Sequence, residues 1–383
     1  MQQIVGALLA LDPPPAAHAA GGRPNAVWRV AVSALESALL DLTGKVAGLP
    51  IYQMLGGAGP RGAGGLADEP GDGGSPRDFG LRTYANINRI SKPPGSVPGG
   101  PGRTPRDFAG YALAAKSDGW DAIKLGPFDG GAKNLDAVDS HHAQAGIACL
   151  EAVRNAVGDE TDVLVDVHGH FTANGALQLR DAVAPLRLFW MEDACPGPES
   201  VTGPDAQDVE EASRLRKLAD FDKWCAVSVS QQDKKRGASG GPRVAGGESL
   251  TNPAHAWDIL AQPNTFTTLM ADIVFVGGIL ELRRVGELAV ARGVEFSPHC
   301  PWGPVALTAS VHACASFAES DCPIHEMAYG EADFRSDLTI PSEKERLRNG
   351  VLWLGQRPGL GVSLNLQTVD RHRAPVALPR SSL

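Results

Sequence analysis

The sequence predicts an α/β chain folded as a (β/α)8 barrel, and two observations carry the prediction. Eight short β-rich runs alternate with helical runs along most of the chain, the pattern of parallel strands joined by crossover helices. From the second onward, each of these runs closes on an ionisable side chain. Strand carboxyl ends in a closed barrel converge on one mouth, so such residues would share one site.

The first element is a helix over Trp28 to Val46. Its apolar residues Val30, Ala31, Leu35, Ala38, Leu39 and Leu42 form a helical stripe that stops at Gly48 with Pro50 beyond. The β-rich runs then follow as LRTYANI, DAIKLG, TDVLVDV, LRLFWME, RVAGGES, TLMADIV, GVEFSPH and CPIHEM. Between them the helices have recognisable starts and faces: Pro304 stands in the first turn of the run from Gly303 to Phe317, and Ile279, Leu282, Val285 and Leu288 line the run from Gly278 to Ala291. Four Gly/Pro/Ser-rich stretches, Gly56 to Arg77, Ser91 to Thr104, Pro196 to Asp208 and Ser228 to Arg243, read as surface insertions without chemistry.

Charge and cysteine usage narrow the partners. The net charge is −9, from 44 acidic and 35 basic residues, and no Lys/Arg-rich run stands out, so no nucleic-acid partner is expected. No run reaches the roughly 20 apolar residues of a membrane span. No Lys or Arg precedes Arg23, so the start is not expected to be a secretory signal. The six cysteines contain no CxxC pair and suggest reduced thiols in a cytoplasmic protein. A small-molecule substrate is the expectation, and a homo-oligomer is compatible with it.

The strand-end residues are Lys124, Asp166 with His168, Glu192, Glu248, Asp272, His299 and Glu326. Any one acid at a strand end can be a solvated or capping group. Asp166, Glu192 and Glu248 on three consecutive strands are different, because three unpaired carboxylates repel one another unless a cation joins them. Three hard oxygen donors suit Mg2+, which keeps its other positions for water and substrate. Asp272 and His299 on adjacent strands make a carboxylate–imidazole pair suited to a general base. Lys124 supplies fixed positive charge where negative charge develops. Glu326 can hold a substrate oxygen or form a salt bridge. His168, two residues after Asp166, shares its face if the strand continues. His170 follows Gly169 and reads as a loop residue.

These residues sit in segments that resemble the mandelate racemase and muconate lactonizing group of the enolase superfamily. From about Ala26 to Leu364 the matching pieces are AVSALESALLDLTGKVAGLPIYQMLGG, AIKLGPF, VLVDVHGHF, FWMEDA, VAGGES, GGILELRRVGELA, SPHCPWGPVALTASVHA and PGLGV. The Asp166-x-His168 pairing and the segment around His299 look most like galactonate dehydratase and related acid-sugar dehydratases. The resemblance implies that Asp166, Glu192 and Glu248 hold the metal, that the Asp272–His299 pair is the base and that His168 is the acid. It also implies an N-terminal capping region, of which this chain carries a truncated, mainly helical remnant over residues 1–80. The barrel would occupy residues 81–330, and residues 331–383 would return to the cap.

The implied reaction is Mg2+-dependent dehydration of an aldonate such as galactonate. α-Proton abstraction and loss of the 3-hydroxyl would give a 2-keto-3-deoxy acid. Three readings compete with it. A racemase or epimerase of the same superfamily would carry a second lysine two residues after Lys124, where this chain has Gly126. A metallohydrolase using His168-x-His170 would place that pair on the first strand, ahead of the lysine. A catalytically impaired relative would not be expected to keep all the mouth residues.

Overall fold

The computed structural model describes residues 26–57, 79–90, 102–196, 221, 223–226, 228, 242–262 and 266–373. The four Gly/Pro/Ser-rich stretches lie outside these residues except at their ends. One of those ends departs from the expectation of no chemistry. Arg103 is 1% exposed and Thr104 caps the next helix, so this part of the stretch belongs to the packed interior.

Eight strands form the barrel wall: β1 (Phe79–Asn86), β2 (Ala122–Leu125), β3 (Asp162–Asp166), β4 (Trp190–Glu192), β5 (Arg243–Gly246), β6 (Thr268–Leu269), β7 (Glu295–Phe296) and β8 (His325–Ala328). Each pairs in parallel with the next from β1 to β7, and β8 pairs in parallel with β1. At the seam between β7 and β8, the Phe296 N–H donates to Asp321 O at 2.7 Å and the Ser297 hydroxyl to Ile324 O at 2.8 Å. Closure is also visible inside. Tyr84, Ala122, Leu164, Trp190, Ala245, Met270 and Ile324, from successive segments of the wall, pack together as one small buried cluster. Tyr84 on β1 meets Trp190 on β4 edge-on at 5.3 Å, a contact between strands that are not neighbours in the wall. The larger core lies between the strands and the surrounding helices.

The helices start where local chemistry satisfies their free N–H groups. In α3 (Pro105–Ser117), which follows α1 and α2 described below, Thr104 and Asp107 form a reciprocal capping box and Pro105 opens the first turn. Ser140 caps α4 (His141–Val157), Thr172 caps α5 (Ala173–Ala182) and Asn252 caps α6 (Pro253–Leu260). The outer layer continues with α7 (Ile273–Val276), α8 (Ile279–Ala291) and α9 (Pro304–Cys314).

Among the described residues, a 22-residue helix, α1 (Ala26–Ala47), and a single turn, α2 (Ile51–Met54), precede β1. The predicted helix is present, but its expected apolar stripe does not face the protein. Val30, Leu35 and Leu42 are exposed, whereas Val32, Ser33, Glu36 and Leu40 are buried. Polar anchoring decides the face. Glu36 accepts the Ile279 and Leu280 N–H groups at 2.9 Å each, capping α8, and the Ser33 hydroxyl donates to Ile273 O at 3.0 Å. Beyond β8, the strand at Val351–Leu354 pairs antiparallel with β1. The chain then meets the first helices, with Gly359 bridged to Pro50 and the Leu360 N–H donating to Asp41 at 2.8 Å. No helix among the described residues is long and apolar enough to cross a membrane, and none of the six buried cysteines is in a disulfide.

Candidate active site

Lys124, on β2, is 1% exposed and lies at the centre of a buried acid cluster. Its Nζ is 2.9 and 3.0 Å from the two Glu192 oxygens, 3.0 Å from Glu326 Oε1 and 3.6 Å from Asp166 Oδ2. Asp166 and Glu192 end β3 and β4 and are paired in register, so the sheet itself places them side by side. Glu326 lies within β8 rather than at its end. It is fixed by Asn86 Nδ2 at 2.6 Å and by the Cys300 N–H at 2.7 Å.

Electrostatics follow from burial. Burial pushes the Glu192 carboxyl up to about 8, aided by the charge of Asp166 and opposed by Lys124. Burial would raise Glu326 as well, but the charges of Lys124 and His299 outweigh it and hold Glu326 down to about 2. Asp166 is likewise held low against its burial by His168 and Lys124. Burial lowers Lys124, yet the surrounding carboxylates, Glu192 first, keep its ammonium well above the ordinary lysine range.

Two imidazoles stand over this cluster. His299 Nδ1 lies 2.7 Å from Asp272 Oδ2, and its Nε2 lies 3.1 Å from Glu248 Oε2. Asp272 does not end a strand. It caps α7, accepting the Val274 N–H at 2.7 Å, and it also accepts the Trp302 indole N–H at 2.8 Å. Glu248 reaches the mouth because Gly247 turns the chain at φ +103°, a conformation that disfavours any side chain.

His168 reaches the mouth by a different route from the one expected. The strand stops at Asp166, and His168 adopts a left-handed conformation (φ +49°) instead of continuing the β alternation. Its Nε2 nevertheless lies 3.0 Å from Asp166 Oδ2, while Nδ1 lies 2.5 Å from Asp129 Oδ1. His170 is a loop residue, as expected, but it is buried at 3% exposure and its Nδ1 contacts Ala132 O at 2.9 Å. A cavity of about 530 Å3 opens above the cluster, and Asp166, His168, His170 and His299 all line it.

All eight sequence-predicted residues thus meet at the barrel mouth, but Asp166, Glu192 and Glu248 do not converge. Lys124 bridges the first two and Glu248 turns toward His299. Among the described residues no three His, Cys, Asp or Glu groups are gathered as they stand into a cation site. The donor chemistry still fits a hard divalent ion. All three groups offer carboxylate oxygen, and two of them are register neighbours.

Sequence reasoning missed Asn86, Asn88, Arg103, Asp129 and Trp302. Asn86 ends β1, the strand to which sequence analysis gave no site residue, and Trp302 stands three residues after His299 in a segment already singled out. Neither Asp129 nor Arg103 carries a local signal. The position of Gly126 is also explained here: a β-carbon added there would lie 2.8 Å from Asn88 Nδ2, so the Asn88 amide occupies the place of a larger side chain.

The wall of parallel strands with a polar mouth at their carboxyl ends defines a (β/α)8 barrel protein with its site where such barrels carry theirs. The chain belongs to the enolase C-terminal domain-like family, which it matches over residues 107–222 and 226–368. It is similar to a D-gluconate dehydratase of Thermoproteus tenax, 26% identical over 359 residues, which cover 91% of this chain and 57% of that protein. A D-galactonate dehydratase of Variovorax paradoxus is 26% identical over 352 residues, covering 91% of this chain and 74% of that one. Among solved structures, a mandelate racemase/muconate lactonizing enzyme from Jannaschia sp. CCS1 superposes with a TM-score of 0.66 at 24% identity, covering 97% of this chain and 85% of that one. That likeness bears on the fold.

Proposed function

We propose that this chain is a hydro-lyase that dehydrates a sugar acid, an aldonate of the galactonate or gluconate kind, to a 2-keto-3-deoxy acid. The observation that carries the reading is that His168 and His299 line one cavity above a buried lysine and its carboxylates. The names of the two relatives, D-gluconate and D-galactonate dehydratase, support the substrate class. We also propose the division into residues 1–80, 81–330 and 331–383, supported by the contacts that bring the chain beyond β8 back to α1 and α2.

In this reading Asp166, Glu192 and Glu248 hold Mg2+. When bound, the ion supplies Lewis acidity toward the substrate carboxylate. Asp272 orients His299 through Nδ1, leaving Nε2 as the atom that accepts the α-proton. The charge that develops on the substrate carboxylate is met by Lys124, whose ammonium burial and three anions keep in place. His168 Nε2 then delivers a proton to the departing 3-hydroxyl. Glu326 positions Lys124 through its Oε1 and the Cys300 backbone through its Oε2. Gly126 in place of a second lysine supports dehydration over racemisation, and the Asn88 amide fills the space beside it.

The test is to incubate the protein with Mg2+ and galactonate or gluconate and follow 2-keto acid. Folded protein that binds Mg2+ yet forms keto acid from neither would overturn the assignment.

A further inference from the structure

We infer that Asp129 is the positioning residue of His168, the counterpart of Asp272 at His299. The inference rests on the dehydratase reading above and deepens it. Both imidazoles are wired alike. Nδ1 of each meets an aspartate, at 2.5 Å for His168 and 2.7 Å for His299. Nε2 of each meets one of the three carboxylates proposed for the metal, Asp166 at 3.0 Å and Glu248 at 3.1 Å.

Asp129 is itself held. It lies in the loop after β2 and is 8% exposed. Its second oxygen accepts Asn88 Nδ2 at 2.9 Å and lies 3.7 Å from the Arg103 guanidinium. Arg103 also donates to Asn88 Oδ1, at 3.3 and 3.2 Å, and to the Gly126 carbonyl. Burying an arginine is costly unless it is paired and hydrogen-bonded, and the carboxylate it reaches is the one on His168. The rest of His168 is fixed too. Its N–H donates to Asp166 Oδ1 at 3.1 Å and its carbonyl accepts Lys133 Nζ at 2.5 Å. With the backbone and Nδ1 both held, the ring presents Nε2 in one direction, and a general acid needs that alignment.

The inference predicts that Asp129→Asn behaves as a weaker His168→Asn. Exchange of the α-proton with deuterium, measured on galactonate and gluconate with Mg2+, should stay within about threefold of wild type. Dehydration should fall about 10–100-fold, the usual loss when an orienting partner is removed. Asn88→Ala, which removes one of Asp129's anchors without touching His168, should move the ratio of exchange to dehydration in the same direction. The double variant Asp129→Asn/His168→Asn should be no worse than His168→Asn alone.

A readout independent of turnover comes from proton NMR of the protein. A low-field imidazole N–H resonance that disappears in His168→Asn should also disappear in Asp129→Asn. If exchange and dehydration fall in parallel in Asp129→Asn, or neither changes, or the double variant is additive, or the resonance persists, the positioning role is wrong. If His168→Asn itself leaves the ratio unchanged, the acid assignment fails instead.

Discussion

Replacing Lys124 with Met removes the one ammonium from a cluster of buried acids, and the structure sets the size of the effect. At an effective dielectric constant near 20, a charge pair about 3 Å apart is worth roughly 5 kcal/mol before desolvation. Lys124 makes such contacts to Glu192 and Glu326, with Asp166 a little further away. Desolvating the ammonium costs several kcal/mol of that gain, and breaking a buried pair by deleting one partner typically destabilises by about 3–5 kcal/mol. For roughly 250–380 cooperatively unfolding residues that is a fall in Tm of about 4–10 °C. The sign with pH is fixed as well. Without Lys124 the carboxylates ionise less readily in the folded state than in the unfolded chain, so the variant loses further stability as pH rises. Added Mg2+ should restore more stability to the variant than it adds to wild type, because it replaces missing charge. Thermal melts followed by circular dichroism, with EDTA or with Mg2+, measure all three. A Tm within about 2 °C of wild type in EDTA would refute the view that Lys124 holds these acids together.

Glu192→Gln should weaken Mg2+ binding by about tenfold or more in calorimetry, a loss typical of disturbed metal sites. Because the folded Glu192 carboxyl is raised to about 8, its contribution to stability is present below its ordinary 4.5 and lost as pH rises through about 8. Metal-free wild type should therefore lose stability over that interval, and Glu192→Gln should flatten the slope in melts at stepped pH. Glu36→Ala leaves the Ile279 and Leu280 N–H groups without their acceptor and should cost about 1–3 kcal/mol in urea titrations.

What could be read from the sequence was what is local along the chain. Asp166 and Glu192 terminate apolar runs, and strand register then places them together without further information. His168 was legible as a neighbour of Asp166, although a left-handed turn, not strand alternation, brings it there. The stripe on α1 was legible as helix but not as to which side is buried. That choice depends on Glu36 finding the start of α8, which lies some 240 residues away and has no trace in the helix's own pattern. Asp129 is the same kind of case. Its meaning comes from Asn88, Arg103 and His168, contributed by three other segments, and an acid in a Gly-rich turn shows none of that by itself.

Strand order also constrains the stereochemistry. His168 follows β3 and His299 follows β7, and in a ring of eight these strands are opposite one another, so the two imidazoles approach a substrate from different sides. An enzyme with a base on each face of one carbon would invert that carbon. Here the place of a second lysine is filled by the Asn88 amide, and the proposed function gives His168 the departing hydroxyl. On that proposal His299 alone handles the α-proton. His168→Asn should therefore exchange the α-proton for deuterium with retention of configuration, returning the label to the face it left, while His299→Asn should neither exchange nor dehydrate. NMR of the recovered acid in D2O distinguishes labelled substrate from its labelled C2 epimer. If the epimer accumulates as fast as label enters, a second base works on the opposite face, and the division of labour between the two histidines is wrong.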